Sequence, residues 1–137
     1  MKRVLVFGSF DLLHKGHLYF FNEARKLGDE LWVVVARDKT IQELKKHKPI
    51  FSEKERINQI QKIPFVTRAV LGNRNDKYKI IEEIKPDIIA LGYDQRFFVD
   101  DLHNELTKRN LKIKIIKLKP YKPHVYKSSL LKERYKQ

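Results

Sequence analysis

A chain of 137 residues is the size of one domain with a single core, and we read residues 1–137 as one such domain. It contains no cysteine, which excludes disulfides and thiolate metal sites; no apolar stretch approaches the ~20 residues of a membrane span, and the opening MKRVLVFGSF is too short in its apolar run for a secretory leader, so a soluble cytoplasmic protein is expected. The net charge of +13, from 30 Lys and Arg against 17 Asp and Glu, draws polyanions, either nucleic acid or small polyphosphates.

Residues Arg3–Phe7 form a short apolar run that ends at Gly8 and suits a strand buried on both faces. A helical pattern follows from about His17 to Leu27, with Gly28 as its stop. Leu31–Ala36 is a second buried strand, and Thr40–Lys46 a short helix broken by Pro49. Ser52 and Glu55 fit a capping box that opens a helix running to about Lys62, before Pro64. Thr67–Leu71 is a third strand, Asp76–Ile84 a helix ended by Pro86, and Asp87–Leu91 a fourth strand closed by Gly92. Phe98–Arg109 reads as a helix, Lys112–Leu118 as a fifth, partly alternating strand, and Val125–Tyr135 as a final helix. Strands alternating with helices require crossover connections. The expected fold is therefore α/β: one doubly wound, Rossmann-like, five-stranded parallel sheet with helices on both faces. Ligands of such sheets sit beyond the carboxyl ends of the strands, so the residues just after each strand carry the most weight.

The strongest chemical signal lies after the first strand, where His14, Lys15, Gly16 and His17 open the first helix. Glycine allows a ligand close to the backbone. A helix start presents N–H groups and a partial positive charge to phosphate, and two imidazoles add donors. Donors fixed on the oxygens where charge builds as pyrophosphate departs would lower the barrier of a phosphoryl-centred substitution.

The ten residues Gly8–His17, GSFDLLHKGH, resemble the G-T-F-D-x-x-H-x-G-H signature of the cytidylyltransferase-like nucleotidyltransferases, and the likeness extends over nearly the whole chain. The resemblance implies direct in-line attack by an acceptor phosphate on the α-phosphorus of a nucleoside triphosphate. It implies a divalent metal such as Mg2+, with metal ligands unknown, and no covalent enzyme intermediate. It places His14 and His17 on the triphosphate, lets Ser9, Phe10, Asp11 and Gly16 shape the pocket, and puts a lysine, Lys45 or Lys46, against the phosphates. It also marks Arg56 in S-E-K-E-R, Gly92 and Asp94 for base and ribose, and Ser128 and Ser129 for phosphate. Each has a plainer reading: Asp11 as a turn or cap residue, the lysines as a solvated basic face, Arg56 as a salt-bridge partner, Gly92 and Asp94 as a loop turn, and the serines as helix caps.

Within the family the chain is most similar to archaeal FAD synthases, through V-A-R-D-K-T (35–40), H-K-P-I (47–50), K-P-D-I-I-A-L-G-Y-D-Q (85–95) and Y-K-S-S (126–129). The glycerol-3-phosphate cytidylyltransferases carry R-T-x-G-I-S-T-T near their C-terminus. Here Lys122–Ser129 lacks that arginine and glycine, which argues against CTP with glycerol 3-phosphate, the alternative reading. The C-terminal cysteines of the FAD synthases are absent as well. The resemblance thus implies ATP and FMN as substrates, FAD and pyrophosphate as products, and a homodimer. No nucleic-acid or membrane partner is expected: the basic residues are interspersed with acidic ones, and no nucleic-acid motif accompanies them.

Overall fold

The computed structural model describes residues 1–46, 48–73, 76, 78–92 and 96–119, with the backbone alone for 44, 45 and 96–100. The expected final helix at Val125–Tyr135 lies outside these residues, as do Asp94, Ser128 and Ser129. Five strands, β1 (Arg3–Gly8), β2 (Glu30–Val35), β3 (Arg68–Leu71), β4 (Ile88–Leu91) and β5 (Lys114–Lys117), form one all-parallel sheet in the order β3-β2-β1-β4-β5. This is the doubly wound arrangement the alternation demands. The direction of winding reverses at β1, so the crevice beyond the carboxyl ends opens between β1 and β4.

Alternation along the strands sorts the core into two layers. Val4, Val6, Leu31, Val33 and Ala90 face one way and pack with Phe21 and Ala24 of α1 (Lys15–Arg25) and Ile60 of α3 (Glu53–Gln61). Leu5, Val34, Ile89 and Leu91 face the other way, against Ile80, Ile81 and Ile84 of α4 (Lys79–Ile84) and Leu102 and Leu106 of α5 (Arg96–Lys108). The short α2 (Asp38–Lys45) buries Ile41. None of the described helices is long and apolar enough to cross a membrane.

The element boundaries shift for identifiable reasons. Helix α1 begins at Lys15, two residues before the expected start, because His14 caps it. Helices α2 and α4 stop before Pro49 and Pro86 are reached: Lys46 (φ 61°) and Lys85 (φ 54°) enter the left-handed region and close them, a role more often taken by glycine. The start of α4 moves from Asp76 to Lys79, since the Asp76 carboxylate accepts the Tyr78 N–H in a turn ahead of the helix. The capping box at Ser52 and Glu55 is present, with Ser52 Oγ accepting from Glu55 N–H at 3.2 Å.

Candidate active site

The turn after β1 is built around a backbone that few side chains tolerate. Phe10 sits at φ 51°, in the left-handed region, yet its ring is buried. The ring folds back over Gly8, where any Cβ would come within 2.5 Å of it. Gly8 is therefore dictated by Phe10, a pairing invisible when the two residues are read separately. From there the ring meets His17 edge-on at 5.5 Å and Phe21 at 5.0 Å, so the strained turn is held by the same aromatic cluster that orients the second histidine.

The two histidines cap the helix reciprocally. His14 Nδ1 accepts the Gly16 N–H at 3.0 Å, and His17 Nδ1 accepts the His14 N–H at 3.3 Å. A ring nitrogen that accepts a hydrogen bond carries no proton, so each neutral imidazole is the Nε2–H tautomer, a donor at its far edge. The rings lie 3.9 Å apart at 32°, so the two donors belong to one unit. The Gly16 N–H, expected to be presented to a ligand, is instead engaged by His14. What the helix start contributes is its dipole, together with two imidazoles aligned by its own backbone.

Asp11 and Arg56 are the two buried charged residues among those described, each 0% exposed. The Asp11 carboxylate accepts the N–H groups of Ile50 (2.7 Å) and Phe51 (2.8 Å) and so pins the segment before α3 beneath the β1 turn. The Arg56 guanidinium donates to the carbonyls of Phe51 (3.1 Å), Ser9 (2.9 Å) and Ala36 (2.6 Å), and to Asp38 Oδ1 (2.6 Å). One side chain thereby ties the turn after β1, the end of β2, the start of α2 and the entry to α3. Both side chains hold the backbone around the β1 turn in place.

The remaining expected residues fall as follows. Ser9 is half-buried beside the histidine turn, its carbonyl held by Arg56. Gly92 ends β4 on the opposite side of the crevice. Lys46 is exposed just past α2, and Lys45 is the last residue of that helix. Arg37 and Asp38 directly follow the second strand, where the sequence places ligand-side residues, but the sequence gives them no partners: Asp38 is the ion-pair partner of Arg56, and Arg37 Nε donates to the Gly72 carbonyl at 2.6 Å. Among the described residues no three His, Asp or Glu side chains converge as a metal cage would require.

This geometry has close relatives. The model of the cytidylyltransferase-like family matches residues 5–134. The FAD synthase of Aciduliprofundum boonei is 52% identical over 121 residues, 88% of this chain and 80% of that protein. The FAD synthase of Thermoplasma volcanium is 42% identical over 134 residues, 98% and 94% of the two chains. A crystal structure described as the lipopolysaccharide core biosynthesis protein from Thermoplasma volcanium superposes with a TM-score of 0.83 at 45% identity, covering 88% of this chain and 98% of that one.

Proposed function

The chain belongs to the cytidylyltransferase-like family, and on that premise we propose that it is an FMN adenylyltransferase, an enzyme that makes FAD from ATP and FMN. An oxygen of the FMN phosphate attacks the α-phosphorus of ATP and forms the new P–O–P bridge of FAD. The bond from the α-phosphorus to the bridging oxygen breaks, and pyrophosphate leaves with the electron pair.

The observation that carries the reading is the paired histidine cap at the β1–α1 junction, together with FAD synthases of high identity along most of the chain. His14 and His17 donate from Nε2–H to the phosphate oxygens that gain charge as pyrophosphate departs, and their backbone-fixed tautomers require no reorganisation. Lys45 or Lys46 serves the polyphosphate. Ser9, Phe10, Gly16 and the buried pair Asp11 and Arg56 hold the cradle in shape. Gly92 and Asp94 serve base and ribose, and Ser128 and Ser129 meet phosphate. A divalent ion such as Mg2+ arrives as part of the substrate, since Mg2+ keeps its waters and binds mainly through phosphates and the Asp11 oxygens are taken by backbone N–H groups.

Incubating the purified protein with ATP, Mg2+ and FMN, and following FAD and pyrophosphate by chromatography, tests the proposal. Turnover of CTP with glycerol 3-phosphate, in the absence of any FAD formation, would overturn it.

A further inference from the structure

The two histidines reach the same tautomer by different means. His14 Nδ1 accepts the Gly16 N–H at 3.0 Å, whereas His17 Nδ1 accepts the His14 N–H at 3.3 Å, a longer and weaker tether. A ring on a weak tether can turn about its last side-chain bond, and a half turn exchanges the places of Nε2 and a ring carbon. A wall beside the ring opposes that turn. The Phe10 ring supplies one, standing at 84° to the His17 imidazole with centroids 5.5 Å apart. Phe10 is itself closely fitted: the far end of its ring lies over Gly8 and leaves no room there for a Cβ.

What holds this wall lies in the core. Phe21 is 0% exposed, belongs to the core layer on the α1 side of the sheet, and meets Phe10 edge-on at 5.0 Å and 63°. His17 and Phe21 are four residues apart on α1 and so share one face of the helix. The Phe10 ring is thus touched by Gly8 at the end of β1 and by two residues of α1, one in the site and one in the core. Phe10 also sits at φ 51°, a conformation that an L side chain enters at a cost, so its ring relies on these neighbours for its place. Without the Phe21 ring, Phe10 gains room to tilt in an otherwise close-packed layer, and the wall beside His17 moves with it.

We propose that Phe21, a core residue remote from the reacting atoms, is a positioning residue for His17 and acts through the Phe10 ring. It keeps the His17 Nε2–H aimed at the oxygens that gain charge as pyrophosphate departs. The His14 tautomer, set by the Gly16 N–H, is independent of it. The consequence for the rate rests on the FMN adenylyltransferase reading; the consequence for the His17 ring does not.

The test compares the full chain with Phe21→Leu, which stays apolar but loses the ring, and with Phe21→Met, whose flexible chain fills the space without one. Ile60→Val, in the same core layer, is the control for lost packing alone. Nitrogen-15 spectra of the imidazoles report which ring nitrogen carries the proton, steady-state kinetics separate kcat from KM, and thermal melting gives the folded fraction. In the Phe21 variants the two His17 nitrogen shifts are expected to draw together as the tautomers mix, while those of His14 stay as in the parent. Their kcat is expected to fall about tenfold, with the KM for ATP within about twofold, because the donor acts on charge that develops only in the transition state. Ile60→Val is expected to lower the melting temperature and change neither readout. Parent-like His17 nitrogens in a folded Phe21 variant would overturn the proposal, and so would an equal loss of kcat in Ile60→Val. If the parent protein forms no FAD, it is the functional reading that has failed, and the nitrogen spectra still decide the positioning.

Discussion

His14 divides two tasks between its two ring nitrogens. Nδ1 caps α1 through the Gly16 N–H, while Nε2 is the donor that the proposed reaction uses. The tasks separate on substitution. Asparagine is among the best N-cap residues, and its side-chain oxygen takes the place of Nδ1, but it offers no donor at the Nε2 position. His14→Asn should therefore unfold within about 0.5 kcal/mol of the parent, the range expected when one competent cap replaces another. His14→Ala should lose about 1 kcal/mol. Both should lose on the order of 10²–10³ in kcat/KM, the usual effect of removing one transition-state donor. Urea titrations and initial rates on the three proteins decide the matter; an asparagine variant with full activity would show that capping was the whole contribution. The motif itself was legible as a spacing of histidines. The tautomers were not, because they depend on where two backbone N–H groups point once Phe10 has turned the chain.

Between elements, the coupling runs through arginines. Arg56, itself fully buried, occupies four acceptors: in the turn after β1, at the end of β2, at the start of α2 and at the entry to α3. Lysine carries the same charge on a single nitrogen and cannot fork to all of them. Arg56→Lys should cost about 3 kcal/mol, in the range for stranding buried partners of a charged group, and should lower activity by loosening the turn at Ser9. Equilibrium unfolding of Arg56→Lys, Asp38→Asn and the double variant measures the coupling directly, and strict additivity would contradict the hub. On the opposite face Arg109, at the end of α5, donates to Asp76, Glu82 and Glu105 and joins α5 to α4 and the turn before it. The Arg109 hydrogen bonds hold the Asp76 carboxyl below its ordinary value of 3.8, outweighing partial desolvation, with help from the Tyr78 and Lys79 backbone N–H groups. A carboxyl depressed in the folded state contributes stability that is complete above its unfolded value and is lost as pH falls through the folded one. Melting temperature should therefore drop as pH falls below about 4, and Asp76→Asn should flatten part of that drop. An identical acid profile in Asp76→Asn would remove this ion pair from the account. The sequence announced the elements that these arginines join, but not the joining. Arg56 lies 18 residues from Asp38, and Arg109 lies 33 from Asp76, separations at which local patterning carries no information.

For the molecule as a whole, alternating periodicity was enough to read the fold. Five apolar runs, each stopped by a turn and followed by a helical pattern, leave few topologies apart from a doubly wound parallel sheet, and the order β3-β2-β1-β4-β5 is one of them. What periodicity could not assign was which charges become internal. Arg56 looked like its exposed neighbours Lys54 and Glu55 and ended fully buried. Among the described side chains Arg56 is the one buried Lys or Arg, and the +13 surplus of the chain has a kinetic consequence. ATP and FMN are both anions. A field of one sign raises the rate at which such ligands are captured, over a range set by the Debye length, about 30 Å at 0.01 M salt and about 10 Å at 0.1 M. The chemical step takes place among fixed donors at contact distance and is screened far less. Raising potassium chloride from 0.01 to 0.15 M should therefore lower kcat/KM for ATP several-fold while leaving kcat within about twofold. Initial-rate measurements across that series, with an uncharged osmolyte as control, test the division. A kcat that falls in parallel with kcat/KM would place the excess charge in the reaction itself rather than in the approach to it.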